Sequence, residues 1–266
     1  MTVRPTLLIT GGFGVVGRLL TPALREHYNV LIADRSDCAD FPGDLTDPAL
    51  AREAIEGVDA ILHLAANAKP TGSWQDAAAN VAMTATVLDA AERRGVRKIV
   101  QASSVHASGL NFRDDQYPLD PLGAPRPCCP YGASKVASEA LGQIYAQRTG
   151  ASVISIRLGH VGWPLTEREC AATWLSNRDG TSLMLAALHT EVRHGVYYGV
   201  SRYASGFFDI TNTRAELAYE PRDTLPTGAL DLPSGDFAPC LMFEPATPDE
   251  SQPARAKPAP RALPDR

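Results

Sequence analysis

Five short apolar runs alternate along the chain with longer stretches whose apolar residues recur every three or four positions. Leu7-Leu8-Ile9, Asn29-Val30-Leu31-Ile32-Ala33, Ala60-Ile61-Leu62-His63-Leu64, Lys98-Ile99-Val100-Gln101-Ala102 and Ser152-Val153-Ile154-Ser155-Ile156 each read as a buried strand. Apolar positions 15, 16, 19, 20, 23 and 24 mark a helix over 15–24, and further helices are expected after Pro48, over 74–94 and over 131–148. Strands separated by helices at this spacing predict βαβ units with right-handed crossovers. The fold class is therefore α/β, a doubly wound parallel sheet. Past residue 158 the pattern loosens. A helix near 180–190, a strand over 196–200 and a helix near 212–217 are expected to form a small C-terminal substrate lobe over 159–244, packed on the sheet domain of 1–158. Residues 245–266 hold six prolines among alanine and charge, too little apolar matter for a core, and read as a disordered tail.

A sheet of this kind binds ligands beyond the carboxyl ends of its strands. There lies Thr10-Gly11-Gly12-Phe13-Gly14-Val15-Val16-Gly17, joining the first strand to the first helix. Glycines 11, 14 and 17 let bare backbone approach a pyrophosphate on the positive end of the helix, with Phe13, Val15 and Val16 in the same turn. The sheet is then of the Rossmann type. Asp34, at the tip of the second strand, can accept hydrogen bonds from the adenosine ribose hydroxyls of NAD and repel the extra phosphate of NADP. Arg35 beside it softens that repulsion, and NAD is expected over NADP. Asp44-Leu45 falls where an adenine would lie, the carboxylate accepting from the exocyclic amine. An ordinary N-cap for the helix that follows explains the same aspartate.

Tyr131-Gly132-Ala133-Ser134-Lys135 places a phenol and an ammonium four residues apart, on one face of a helix. A neighbouring lysine favours the phenolate, lowering the tyrosine pKa so that it can pass protons to and from a substrate oxygen. The lysine can also hold the nicotinamide ribose. Ser104, at the end of the fourth predicted strand, offers a hydroxyl to orient the same oxygen.

Together these residues resemble the extended short-chain dehydrogenase/reductase family, the NAD-dependent epimerase/dehydratases, over about residues 6–220. The likeness rests on Gly-x-x-Gly-x-x-Gly at 11–17, Asp34, Asp44-Leu45, His63-Leu64-Ala65-Ala66, Asn80, Ser103-Ser104, Tyr131 and Lys135. It implies a bound nicotinamide dinucleotide, contacted also by Leu64, Ala65, Ala66, Asn80, Tyr131 and Lys135. It further implies a catalytic set of Ser104, Tyr131 and Lys135, and a homodimer. Segments 173–176, 198–201 and 206–209 are similar to members that oxidise a hexuronic acid at its anomeric carbon. That likeness implies substrate contacts from Ser104, His106 and Arg168. Three positions depart from it. Val105 replaces an asparagine, Ala68 a serine, and Glu169 stands where an arginine clamps the uronate carboxylate, with Arg168 one residue away. A carboxylate at that point repels a uronate.

Charge and cysteine content narrow the partners. A net charge of -5 over 266 residues, with no basic stripe, disfavours nucleic acid. No apolar run reaches the ~18 residues of a membrane span. The first strand starts within six residues, leaving no room for a secretory signal peptide. The five cysteines (38, 128, 129, 170 and 240) are odd in number and show no metal-ligand spacing. They read as free thiols of a cytoplasmic protein, with no metal expected. Three functions fit the pattern: a dehydrogenase acting on a sugar or small polyhydroxy substrate, a sugar epimerase that retains its NAD, or a non-catalytic dinucleotide-binding sensor. Epimerases of this type usually need a larger C-terminal domain, and sensors generally lack the tyrosine or the lysine.

Overall fold

The apolar runs build one sheet. In the computed structural model, which describes residues 4–236 and 240–244, the strands are β1 (Thr6–Thr10), β2 (Asn29–Asp34), β3 (Phe41–Pro42), β4 (Ala60–His63), β5 (Lys98–Ser104), β6 (Ser152–Leu158) and β7 (His194–Gly199). Their order is β3-β2-β1-β4-β5-β6-β7, every pair parallel. The chain runs outward from β1 through β2 and β3, then returns to start the other half at β4. The switch point for ligand binding therefore lies between the carboxyl ends of β1 and β4. The tail expected over 245–266 lies outside the described residues.

The helices are α1 (Val15–His27), α2 (Pro48–Ala54), α3 (Trp74–Arg94), α4 (Gly109–Arg113), α5 (Pro130–Thr149), α6 (Asn177–His189) and α7 (Thr211–Leu217). Successive strand residues point to opposite faces, and the sequence fills both. Leu7, Ile9, Leu62, Val100 and Ile154 pack with Leu20 and Leu24 of α1 and Leu183 and Met184 of α6. Leu8, Ile61, Ile99 and Val153 pack with Ala51 of α2, Val87 and Ala91 of α3, and Tyr145 of α5. Helix α3 is bounded by a Ser73–Asp76 capping box and a left-handed Gly95, which explains its length.

Three features depart from the sequence expectation. β3 is a two-residue edge strand ending in a proline, too short to leave a periodic signal. Residues 105–130, between the fourth expected strand and the helix expected over 131–148, contain a 3-10 turn at Val105–Ser108 and the five-residue α4. Residues expected within a small lobe contribute β7 to the same sheet and α6 to the core beside α1. A third apolar cluster gathers Val105, Phe112, Cys128, Tyr198, Phe208, Cys240 and Met242 near the carboxyl ends of β5 and β7. Among the described residues, no helix is long and apolar enough to cross a membrane.

The turn after β1 depends on one glycine. Gly11 has φ +70°, and a Cβ there would sit 2.7 Å from the Ala65 backbone. Gly11→Ala is expected to destabilise the protein by about 2 kcal/mol in urea unfolding, from the left-handed backbone and the overlap combined. An unchanged midpoint would show that the turn is built differently.

Candidate active site

Helix α1 begins without a cap. Gly14 occupies the N-cap position, no side chain bonds to the first turn, and no acidic residue lies in it. The first-turn N–H groups have no partner within the helix, and with the helix dipole they form a seat for a pyrophosphate. The turn is locked by Gly11 N donating to Ala33 O at 2.8 Å and Gly14 N to Gly11 O at 3.0 Å. Asp34, ending β2, accepts from Phe13 N and from Ser36 N, both at 3.0 Å. Each carboxylate oxygen keeps a further lone pair for a ribose hydroxyl. Asp44 is exposed and accepts from Thr46 N at 2.8 Å, and its hydrogen bonds with Thr46 hold its carboxyl below the usual range. The cap of α2 is Asp47 instead, so the N-cap explanation of Asp44 does not hold. Leu45 beside it is buried. Ala65 N donates to Thr10 Oγ1 at 3.2 Å, while Leu64 and Ala66 face the cleft. These groups fit a dinucleotide lying across the switch point.

A cleft of about 570 Å³ runs from Val16 in the first turn of α1 to Ser104, Tyr131 and Lys135. The sequence-predicted catalytic set is therefore brought to one wall, beside the dinucleotide seat. Lys135 is buried, donates from Nζ to Ala102 O at 2.8 Å, and lies 5.6 Å from the Tyr131 ring centre. Burial pulls the ammonium down to about 8, with Glu139 opposing. Burial also pushes the Tyr131 phenol up to about 12, against a hydrogen bond with Ser104 that lowers it. The expectation that Lys135 depresses the tyrosine is thus corrected. Its ammonium is turned to a carbonyl, and Ser104 is the group that favours the phenolate. His63, beneath them, is held down to about 3 by burial and by Lys135, so it stays neutral between Thr10 and Thr84.

The wall stands on a buried ion pair that sequence reasoning missed. Arg157 of β6 donates from Nε and Nη2 to the two oxygens of Glu139 on α5, at 2.8 Å each. Ser103 donates to Glu139 Oε1 at 2.5 Å, and Arg157 Nη1 reaches Ser108 and Tyr198. Neither residue had a sequence signal, because their partners lie far along the chain.

Three expected contacts sit differently. Asn80 is buried, and its amide is spent on the backbone of Asn67 and on Ser134 Oγ, so it braces the turn after β4 from behind. His106 faces the cleft but presents Nδ1 to the sulfurs of Cys128, Cys129 and Cys240. Arg168 is exposed and paired with Glu169 at 3.1 Å, outside the cleft wall. The neighbouring carboxylate and open solvent hold it there, which corrects its expected contact with substrate.

Sheet, uncapped helix and clustered Ser-Tyr-Lys define a dinucleotide-dependent enzyme of the Rossmann type. The chain belongs to the NAD dependent epimerase/dehydratase family, which matches residues 7–178. It is 33% identical over 228 residues to a uronate dehydrogenase of Pseudomonas syringae pv. tomato, covering 82% of each chain. It is 31% identical over 243 residues to an NAD-dependent glucose-6-phosphate dehydrogenase of Haloferax volcanii, covering 82% of this chain and 93% of that one. In three dimensions it is similar to a glucuronic acid dehydrogenase from Chromohalobacter salexigens, with a TM-score of 0.76, 26% identity, and 86% and 88% of the two chains covered. The family and the NAD cofactor expected from the motifs are therefore established.

Removing one partner of the buried pair leaves the other charge unpaired in the interior. Glu139→Ala is expected to cost about 3–5 kcal/mol of unfolding free energy, read from denaturant titration. A loss under about 1 kcal/mol would mean that the pair does not support the wall.

Proposed function

We propose that the protein is an NAD-dependent dehydrogenase of an uncharged sugar or similar polyhydroxy compound. The observation that carries this reading is the single cleft shared by the α1 first turn, Ser104, Tyr131 and Lys135. NAD, when bound, supplies the hydride acceptor. Ser104 Oγ orients the substrate oxygen, and the Tyr131 phenolic oxygen takes the hydroxyl proton in oxidation or returns it in reduction. Lys135 has three donors and gives one to Ala102, leaving two to hold the nicotinamide ribose. Leu158, Val161, Met242 and Phe243 line the cleft and exclude water from the reacting atoms.

The lining also supports the substrate class. Lys135 is the one lysine or arginine facing the described cleft, while Glu167 and Asp236 bring carboxylates. A uronate or a sugar phosphate finds no arginine to pair with there, and a neutral ring meets hydroxyl-binding acceptors instead. A nucleotide-diphosphate sugar would bring two phosphates to a cleft with no arginine among its described lining residues, which favours dehydrogenation over epimerisation.

Incubating the protein with NAD and a panel of aldoses, polyols, uronates and sugar phosphates should produce reduced nicotinamide absorbance with neutral sugars first. Preference for a uronate would overturn the substrate class. Silence across the panel, with NAD copurifying, would replace this reading by the epimerase. Tyr131→Phe should lower turnover by about a thousandfold while NAD affinity, measured by calorimetry, stays within about twofold. Turnover that survives the substitution would remove Tyr131 from the mechanism.

A further inference from the structure

Four side chains from three distant segments converge at one wall of the cleft. His106 follows β5, Cys128 and Cys129 precede α5, and Cys240 comes from the C-terminal segment. The sulfurs of Cys128, Cys129 and Cys240 lie 3.2, 3.8 and 3.4 Å from His106 Nδ1. Cys128 Sγ is 4.0 Å from Cys129 Sγ and 3.6 Å from Cys240 Sγ, and all four ligand atoms fall within 4.8 Å of one another. We propose that His106, Cys128, Cys129 and Cys240 form a tetrahedral zinc site that clips the C-terminal segment to the catalytic wall.

The distances carry the argument. With zinc–sulfur and zinc–nitrogen bonds of about 2.3 and 2.1 Å at tetrahedral angles, neighbouring sulfurs stand about 3.8 Å apart, and sulfur and nitrogen about 3.6 Å apart. The observed spacings scatter around those values. Hydrogen bonding alone does not explain the convergence. Nδ1 has one hydrogen-bonding position in its ring plane, so it satisfies one of the three thiols, which among the described residues otherwise donate only to one another and, from Cys128, to the His106 carbonyl. One cation satisfies all four groups at once.

Backbone contacts hold the ligand-bearing segments independently of the sulfurs. Cys128 N donates to His106 O at 3.3 Å, and Leu241 N donates to Cys128 O at 3.2 Å. Gly132 N donates to Cys129 Sγ at 3.4 Å, the outer-shell N–H to sulfur bond that steadies a thiolate ligand. Gly109 is a further requirement, since a Cβ there would collide with Cys128 Sγ. Three thiolates and one imidazole in tetrahedral array select zinc among common divalent ions. The site is closed by four protein ligands, so its role is structural and leaves no position for substrate. Binding converts three thiols to thiolates and releases their three protons to solvent. His106 Nδ1 is then committed to the metal, and Nε2 alone remains to meet a substrate. The cluster escaped sequence reading because its four members share no local spacing.

Protein purified under reducing conditions, without added metal, is expected to carry about one zinc per chain by plasma mass spectrometry. Stripped and reloaded with Co²⁺, it should show the strong visible absorption of tetrahedral cobalt and a near-ultraviolet sulfur-to-cobalt band. Cobalt binding without copurified zinc still supports the site. Cys240→Ser should reduce metal retention at least about tenfold, whereas Cys38→Ser, an exposed thiol elsewhere, should leave it unchanged. If Cys240→Ser does not fold, the cobalt spectrum of the unaltered protein decides alone. Five freely titrating thiols with no cobalt spectrum would overturn the proposal. So would a Cys128–Cys240 disulfide in metal-free protein, which would make the cluster a redox pair.

Discussion

The buried pair between Glu139 and Arg157 sets the orientation on which the active wall depends. Tyr131, Lys135 and Glu139 follow one another at four-residue steps, so they stack on a single face of α5. Arg157 grips the last of the three by both carboxylate oxygens, and Ser103 fills the remaining contact. Fixing Glu139 against β5 and β6 fixes the roll of the helix. The phenol and the ammonium must then face the carboxyl ends of the strands. A buried ion pair is costly unless further hydrogen bonds support it, and here Arg157 Nη1 also reaches Ser108 Oγ, Tyr198 Oη and Pro121 O. The same carboxylate also opposes the loss of charge from Lys135. One interaction therefore serves packing, orientation and electrostatics together.

What the sequence disclosed and what it hid follow from the range of the forces involved. The strands and long helices were legible because burial on two faces leaves a local imprint, as in Leu7-Leu8-Ile9 and in Leu20 and Leu24 of α1. The switch-point turn was legible because Gly11 answers to a backbone requirement that glycine meets at little cost. Arg157 was not, since an arginine after Ser152-Val153-Ile154-Ser155-Ile156 looks like a strand end reaching water. Its true partner lies eighteen residues back on a helix. Asn80 was placed on the right helix with a different task, because motif position does not say where an amide points. Phe41–Pro42 and α4 are too short to show a period at all.

Glu169 organises the stretch beside the C-terminal segment. Burial opposes charge on Glu169, but hydrogen bonds from Ser234 and from the Gly235 N–H outweigh it and hold the acid at about 2. Where a uronate-binding relative is expected to present an arginine to its substrate, this chain uses an acid to tether its own C-terminal segment. Arg168 neutralises that acid from the solvent side and is spent in doing so. Glu169 and Arg168 are thereby engaged with each other and with the C-terminal segment, outside the lining of the cleft.

The C-terminal segment has little regular structure of its own, a single 3-10 turn at Ala229–Asp231 among its described residues. It nevertheless supplies Asp236, Cys240, Met242 and Phe243 to the cleft. A chain without a hydrogen-bond ladder must be placed by separate ties. Arg168 N to Pro233 O and the Glu169 contacts secure its near end, and Leu241 N to Cys128 O with the sulfur cluster secures its far end. The far tie joins residues close to Ser104 and Tyr131, so the position of this cleft wall is referenced directly to those two side chains. The stack of Tyr131, Lys135 and Glu139 on α5 is anchored by Arg157, whereas this wall is anchored by the C-terminal ties. Asp236, Met242 and Phe243 of this wall can therefore vary while the stack of Tyr131, Lys135 and Glu139 stays in place.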